Sequence, residues 1–316
     1  MLLVAGAAML FASKGLFGKA LYQRGVGFEL LVCVRSVLAM PLFVWVALRA
    51  GPRAPAMAMA ADEEAKPLAV TAPPAARPRA GAMLAAATAG ILCYYIGALV
   101  DFWALTMIDA SVERVLLFSY PAMVVLIDSV RRRRAPGRRI VAAMLVTYLG
   151  IFFAMGGIDL FELRANLLGA ALTLVAALTT AIYFLIGERY TRELGSTRFA
   201  AIGMSSAALV LAAHFAVFRS WSEIAALGTH EWMLLVILAI ACMFVPGLMQ
   251  AEGVRRVGAQ SGAIGSTVGP VTTIVLAALF LGERLNGWQM LGSAMIVGSV
   301  LLISMLPAGK GVDSKK

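Results

Sequence analysis

The sequence contains few charged residues and few residues that could carry catalysis. Only 14% of its 316 residues are Asp, Glu, Lys or Arg, whereas soluble domains average about 25%. The two histidines, His214 and His230, lie in different segments, and no G-x-x-x-x-G-K-[ST], H-E-x-x-H or G-x-S-x-G motif occurs. These absences argue against direct ATP drive and against an enzyme that acts on lipid, and they predict no metal site and no cofactor.

Hydrophobic residues make up 61% of the chain and occur in repeated runs of about 20. Such a run crosses roughly 30 Å of hydrocarbon as a helix. We therefore predict an all-α integral membrane protein whose membrane-spanning helices cover residues 2–21, 28–48, 82–105, 112–130, 140–157, 167–187, 199–218, 232–250, 260–281 and 287–306. Cys33, Cys93 and Cys242 lie within these runs, where packing is the expected role of a thiol.

The distribution of Lys and Arg predicts the orientation of these ten helices. Loops after even-numbered spans, together with the C-terminal tail, hold nineteen of the 27 Lys and Arg residues, and loops after odd-numbered spans hold six. Cytoplasmic loops are enriched in these residues. Both termini are therefore predicted to lie in the cytoplasm, in a cell (plasma or inner) membrane. The net charge of +10 follows from topology, so we predict no binding of nucleic acid.

The two halves of the chain share a spacing of small residues and proline. Ala110, Pro121 and Gly150 correspond to Ala259, Pro270 and Gly298, with almost equal separations. Because each half has five spans, an odd number, the second copy would enter the membrane from the opposite side. The predicted organisation is a first repeat over residues 1–157 with a disordered cytoplasmic linker at 51–80, a second repeat over residues 158–306, and a cytoplasmic tail over residues 307–316.

Several motifs resemble the EamA-type branch of the drug/metabolite transporter superfamily. The clearest is "GAQSGAIGSTVGPVTTIVLAALFLGERL", followed by "WQMLGSAMIVGSVLLI"; "ALTMIDASVERVLLFSYPAMVVLI" is its counterpart in the first half, and "FASKGLFGK" resembles the start of the family's first helix. The resemblance implies ten helices in two inverted five-helix repeats and the transport of small metabolites. Phe11 and Lys14 depart from the family pattern, which has Trp and Asn there.

Three ionisable residues inside predicted spans are the main candidates for a site. Lys14, Arg35 and Asp101 all fall in the outer half of the first repeat. Charged residues inside spans usually face a cavity or a partner. Two interpretations stay open: a fixed ion pair between helices, or a cation that receives a carboxylate or phosphate while Asp101 serves as counter-ion or proton carrier.

Other candidates are polar residues and prolines. Tyr94 shares a helical face with Asp101, whereas Tyr95 is expected to point elsewhere; Tyr120, Ser266 and Thr267 could bind substrate, and Pro121 and Pro270 could kink helices or gate the cavity. Thr179, Thr180 and Tyr183 are weaker candidates, for which packing is the expected role. His214 is interpreted as a structural histidine. Glu29, Glu113 and Arg114 are interpreted as solvated residues at the outer interface.

We predict a secondary or facilitative transporter, not an enzyme, for a small polar metabolite that is amino-acid-like or anionic. Alternating access around a central cavity is the expected mechanism. The expected partners are this small-molecule substrate and the lipid bilayer, with proton coupling through Asp101 as an open role, in a monomer or homodimer. The alternative is an integral membrane enzyme acting on lipid; a channel is disfavoured because no filter-like segment is evident.

Overall fold

A computed structural model describes residues 2–49, 80–131, 133, 138–154, 160–249 and 268–305 of the chain. Every regular element in these ranges is a helix, and no strand occurs among them. The α-helices are α1 (Leu2–Ala12), α2 (Lys14–Tyr22), α3 (Phe28–Arg49), α4 (Ala80–Gly90), α5 (Ala98–Ala104), α6 (Ala110–Leu117), α7 (Tyr120–Arg131), α8 (Arg138–Ala154), α9 (Leu160–Leu194), α10 (Ser196–Phe218), α11 (Trp221–Ala225), α12 (Thr229–Ala239), α13 (Val268–Phe280) and α14 (Gly287–Met305).

Five helices within the described ranges are long and apolar enough to cross a membrane. They are Phe28–Arg49, Ala80–Ala104, Asn166–Thr191, Ser196–Phe218 and Thr229–Met249. Large apolar side chains such as Leu84, Leu209 and Val236 are exposed on them, as expected for surfaces that contact lipid. The helical fold and the membrane class predicted from composition are thus confirmed, and each predicted span overlaps at least one helix.

Helix boundaries differ from the hydropathy boundaries where the backbone is irregular. The first predicted span is two helices that meet at Ser13, whose hydroxyl donates to the carbonyl of Leu10. The third begins at Ala80, so this residue belongs to the helix and not to the predicted linker. The fourth is interrupted at Phe118 and Ser119. The rest of the linker, residues 307–316 of the tail, Ala259, Ser266 and Thr267 lie outside the described residues.

Two of the long helices contain a π-helical segment. Ile91–Gly97 joins α4 to α5, and Ile240–Phe244 follows α12. A π segment inserts extra backbone into an α-helix and frequently occurs at functional sites. Both segments supply residues to the central cavity described below, so each irregularity lies at a position where the helix faces the interior of the bundle.

Close helix contacts in the bundle depend on glycine. A Cβ atom added at Gly90 in α4 would collide with the backbone of Gly203 in α10, and one at Gly292 in α14 would collide with the backbone of Ala154 in α8. Because lipid gives little hydrophobic drive to helix association, small residues that allow backbones to approach are a main source of packing energy. These contacts join helices from the two halves of the chain.

Candidate functional site

A cavity of about 230 Å³ lies in the middle of the helix bundle. The side chains and backbone around it come from both halves of the chain: Ala8, Phe11, Lys14, Arg35, Cys93, Tyr94, Gly97, Ala98, Asp101, Arg114, Leu117, Phe118, Tyr120, Ala176, Thr180, Tyr183, Phe184, Met204, Cys242, Met243, Gly269 and Pro270. Six of the nine residues predicted from the sequence line this cavity, namely Lys14, Arg35, Tyr94, Asp101, Tyr120 and Pro270.

Lys14 is the centre of a buried ion cluster. Its ammonium group donates a hydrogen bond to the Asp101 carboxylate and lies 3.2 Å from Oε1 of Glu113. Lys14 is 9% exposed, Asp101 6% and Glu113 1%. The break at Ser13 allows α2 to start at Lys14, and α5 and α6 bring the two carboxylates to it. An ion pair between helices, one of the two interpretations left open by the sequence, is present between Asp101 and Lys14.

Glu113 and Arg114 were wrongly interpreted as solvated interfacial residues. Glu113 is among the largest fully buried side chains, and Arg114 faces the cavity, where its guanidinium group donates a hydrogen bond to the carbonyl of Phe11. Hydropathy placed both residues at the end of a span. The irregular backbone on either side of α6 instead carries this short helix into the bundle, which a window of average hydropathy does not detect.

Arg35 has no ion-pair partner among the described residues. Its guanidinium carbon lies 4.3 Å from the centre of the Phe102 ring, and Lys14 Nζ lies 5.4 Å from the same ring. A cation over an aromatic face is stabilised by the ring quadrupole. Arg35 is only 7% exposed, and its Nε is buried without a hydrogen-bond acceptor in the described part of the chain. A buried donor of this kind is costly unless a ligand or water accepts from it.

Aromatic side chains form another part of the cavity wall. Tyr94 packs edge-on against Tyr183 with ring centres 5.1 Å apart, and Tyr120 stacks on Phe184 at 5.3 Å. Tyr183 and Thr180 both line the cavity, although packing was the expected role for them. Their spacing could have indicated this, because Thr180 and Tyr183 are three residues apart in α9 and therefore lie on one helical face.

The remaining sequence candidates have separate positions. Pro121 stands at the start of α7, directly after the interruption at Phe118 and Ser119, and Pro270 is a cavity-lining residue near the start of α13. The predicted kink between Ser266 and Pro270 lies outside the described residues. Tyr95 does not line the cavity and pairs with His214, with 2.9 Å between its hydroxyl and Nδ1, which fits a structural histidine.

Glu283 forms a second polar contact between the halves, at one end of the bundle. Its carboxylate accepts hydrogen bonds from the backbone N–H of Ala110 at 2.9 Å and of Ser111 at 3.1 Å, and from the Ser111 hydroxyl at 2.9 Å. These groups form the first turn of α6, whose own N-cap residue Asp109 makes no side-chain cap. Burial, together with the nearby Glu283 charge, raises the pKa of Asp109.

The charged groups around the cavity suit the binding of an anionic group. Within the described ranges, no group of three or more His, Cys, Asp or Glu side chains is placed to hold a metal ion. The charged groups around the cavity are three cations, Lys14, Arg35 and Arg114, and the Asp101 carboxylate. Such a site can attract an anionic group electrostatically, and the aromatic walls can contact the rest of a small molecule.

Comparison with known proteins identifies the family to which this sequence is similar. Two stretches of the chain, residues 1–156 and 167–305, match the EamA-like transporter family. The "Uncharacterized transporter YcbK" of Bacillus subtilis (strain 168) is 30% identical over 285 residues, which cover 89% of this chain and 85% of that protein. The "Uncharacterized inner membrane transporter YicL" of Salmonella typhimurium is 23% identical over 197 residues, covering 62% of this chain and 65% of that protein.

A solved crystal structure shares the fold. It aligns with a TM-score of 0.60 and 18% sequence identity, and the alignment covers 95% of each chain. At this identity the likeness concerns architecture alone. The two family matches extend over most of the sequence and include the motifs "FASKGLFGK" and "GAQSGAIGSTVGPVTTIVLAALFLGERL". The chain therefore belongs to the EamA-like transporter family and, through it, to the drug/metabolite transporter superfamily.

Proposed function

We propose that this protein is a secondary or facilitative transporter that carries a small anionic or amino-acid-like metabolite by alternating access. The observation that carries the proposal is the central cavity. It is built from both halves of the chain, and charged side chains line it although the helices around it are largely apolar. Intramembrane charges are expensive and mark substrate or ion pathways. The family match supports transport as the general activity.

We further propose that the chain forms ten spans in two inverted repeats, over residues 1–157 and 158–306. The helix pairings support this arrangement when the predicted spans are numbered in order. The third span packs on the seventh and the eighth on the second; the fourth packs on the sixth and the ninth on the first. The fifth packs on the tenth and the second on the seventh. Each pairing is thus matched by its counterpart under exchange of the two halves, as an approximate twofold axis requires.

The π segments support the same twofold relation. Ile91 lies eleven positions after Ala80, and Ile240 lies eleven positions after Thr229. The third and eighth spans, which would be equivalent in two five-span repeats, therefore carry the same irregularity at the same distance from their starts. The two family matches, each covering about half of the chain, are also those expected of a duplicated unit.

The charge distribution supports the proposed sidedness, with both termini in the cytoplasm. Polar contacts between the halves then concentrate at the outer end: Arg24 lies 3.3 Å from Glu231, Arg219 lies 2.8 Å from Glu29, and Glu283 holds α6. In alternating access, one half rocks against the other around a fixed site. Opening the outer side would break these contacts. The helix interruption before Pro121 would allow the segments on either side of it to rotate relative to each other.

Arg35 is the best-placed residue to receive an anionic group. It is buried and lines the cavity, and among the described residues its Nε donor has no acceptor and its charge has no carboxylate partner. Lys14, by contrast, already contacts two carboxylates. A guanidinium group presents a planar fork of donors that matches a carboxylate or phosphate. We therefore assign the first anion contact to Arg35 and a compensating role to Lys14.

Purified protein in liposomes tests the proposal. Labelled benzoate, glutamate and alanine represent an aromatic anion, an acidic amino acid and a neutral zwitterion, and saturable uptake of at least one of them without chemical change is expected. Arg35→Ala should abolish uptake of the anion, whereas Arg49→Ala, which removes an arginine that stacks on Trp45 at the exposed end of α3, should leave uptake unchanged.

Two outcomes would overturn the proposal. Equal uptake by the wild type and the Arg35→Ala variant would remove Arg35 from the site. Conversion of lipid by the protein, with no uptake of any probe, would instead favour the alternative of an integral membrane enzyme. Thin-layer analysis of the liposome lipids before and after incubation measures that conversion directly.

A further inference from the structure

We propose that Glu113 binds the proton that couples this transporter to a proton gradient, and that one proton moves in the same direction as one organic anion. The inference rests on the proposed transport function and adds to it the coupling ion, the residue that binds the ion, and the charge class of the cargo. Glu113 was not a site candidate in the sequence, where Asp101 was the open choice for a proton carrier.

Two buried carboxylates contact the single ammonium group of Lys14, so the charge of this group can compensate only one of them. Asp101 and Glu113 both contact Lys14 Nζ, and both Glu113 oxygens are buried without a hydrogen-bond donor in the described part of the chain. The free energy of burying a carboxylate is strongly unfavourable unless it is paired and hydrogen-bonded. The hydrogen bond from Lys14 goes to Asp101, so Glu113 is the acid whose charge is less well compensated.

Other charges reach Glu113 from the helices packed around it. Arg114 follows it on α6, and Asp101 on α5 opposes it with like charge, while Lys14 on α2 has the opposite charge. Tyr22, also on α2, is close enough to be affected by the charges of Glu113, Asp101 and Arg35. Of the other helices that pack on α6, the described residues of α13 and α14 contain no titratable side chain, α9 contributes Tyr183 to the cavity, and Tyr148 of α8 is exposed. The carboxylate of Glu283 caps the first turn of α6.

The charge of the cluster links the proton to an anion. With both acids ionised, Lys14, Arg35 and Arg114 leave a net charge of +1 against Asp101 and Glu113. Protonation of Glu113 raises that charge by one and strengthens the attraction for an anion. By thermodynamic linkage, a bound anion favours the proton by the same factor. Proton and anion therefore bind together, which is the requirement for their co-transport.

The proton step is simple and conserves atoms and charge. A proton from water on the acidic side binds a carboxylate oxygen of Glu113, and after reorientation it leaves to water on the other side. No bond to the cargo forms or breaks. Asp101 remains the partner of Lys14, and Arg35 holds the anion. The anion and the proton thus occupy different side chains, Arg35 in the cavity wall and Glu113 beside Lys14, and can be separated by mutation.

Liposomes that contain the purified protein test this coupling with labelled benzoate as the probe. An inward-directed proton gradient should drive accumulation of benzoate in the wild type well above the level reached in protein-free liposomes, which benzoic acid enters unaided as the neutral acid. Glu113→Gln should lose this accumulation but keep exchange of labelled for unlabelled benzoate, because exchange needs no net proton movement. Glu223→Gln makes the same substitution in a partly exposed ion pair with Arg219 that lies within the second half, and it should keep both activities.

Accumulation by the Glu113→Gln variant equal to that of the wild type would overturn the inference while leaving the proposed function intact. Absence of benzoate exchange in the wild type would count against benzoate as cargo. The assignment of the proton to Glu113 is then tested by a measurement that needs no cargo. Infrared titration of the purified protein should show the carbonyl band of a buried protonated acid that is lost in Glu113→Gln and kept in Glu223→Gln. Identical titration of the wild type and Glu113→Gln would overturn the assignment.

Discussion

Replacing Lys14 by methionine is expected to destabilise the fold, because it leaves two buried carboxylates without their cation. Lys14, Asp101 and Glu113 are all less than a tenth exposed, and Lys14 contacts both acids directly. Removing one partner of a buried ion pair costs about 3 to 5 kcal/mol. We expect the free energy of unfolding of Lys14→Met to fall by about that amount, a large part of the stability of a typical domain.

Chemical unfolding in detergent micelles, followed by tryptophan fluorescence, measures this change. The loss should be largest at alkaline pH and should shrink at acid pH, where protonation of the two acids removes the uncompensated charge. Combining Lys14→Met with Asp101→Asn and Glu113→Gln should restore most of the stability, since no net charge is then buried. Lys19→Met, on the same helix but only partly buried, is the control and should change little.

A Lys14→Met variant within about 1 kcal/mol of the wild type at neutral and alkaline pH would refute this reasoning. It would mean that Lys14 does not stabilise the two acids, or that water reaches them. The triple variant separates those explanations. If water solvates the acids, neutralising them changes stability little, whereas buried and uncompensated acids make the triple variant more stable than Lys14→Met.

Three further predictions concern packing and the outer end of the bundle. Gly90→Ala should sharply lower the yield of folded protein, because its methyl group meets the Gly203 backbone, while Gly81→Ala, with open space around it, should not; size-exclusion profiles measure both. Glu283→Ala should lower stability by about 1 to 3 kcal/mol in chemical unfolding, since it removes the cap of α6. Because the pKa of Asp109 is raised in the folded state, its ionisation lowers stability as pH increases, so Asp109→Asn should flatten that part of the pH–stability profile.

The sequence predicted the helical membrane fold, and it allowed an ion pair at Asp101, for physical reasons. Long apolar runs have few solutions other than spanning helices. Lys14 and Asp101 were visible because each lies well inside an apolar run, where a charge needs a partner. The positions of Tyr94 and Tyr120 in the cavity also agreed with expectation. The cavity-lining position of Tyr183 was not predicted, because helix periodicity shows which residues share a face but not which face lines a cavity.

Glu113 escaped prediction because its burial depends on tertiary structure. By hydropathy it lies at the edge of a span, and nothing local distinguishes it from an interfacial acid. The break at Ser13, the interruption at Phe118 and Ser119, and the cap from Glu283 together determine how α6 enters the bundle. The charge balance held a signal, since the site candidates from the sequence were two cations, Lys14 and Arg35, and a single acid, Asp101.

The π segment at Ile91–Gly97 has a consequence for how this chain tolerates insertions and deletions. Each residue of an α-helix turns the chain by about 100°, so losing one residue from this segment would rotate everything after it by that angle. Asp101 lies four positions beyond Gly97 and would be carried away from Lys14. The contact between these two charges therefore depends on the number of residues between them as well as on their opposite charge. A one-residue deletion would separate the two side chains although both residues remain in the sequence.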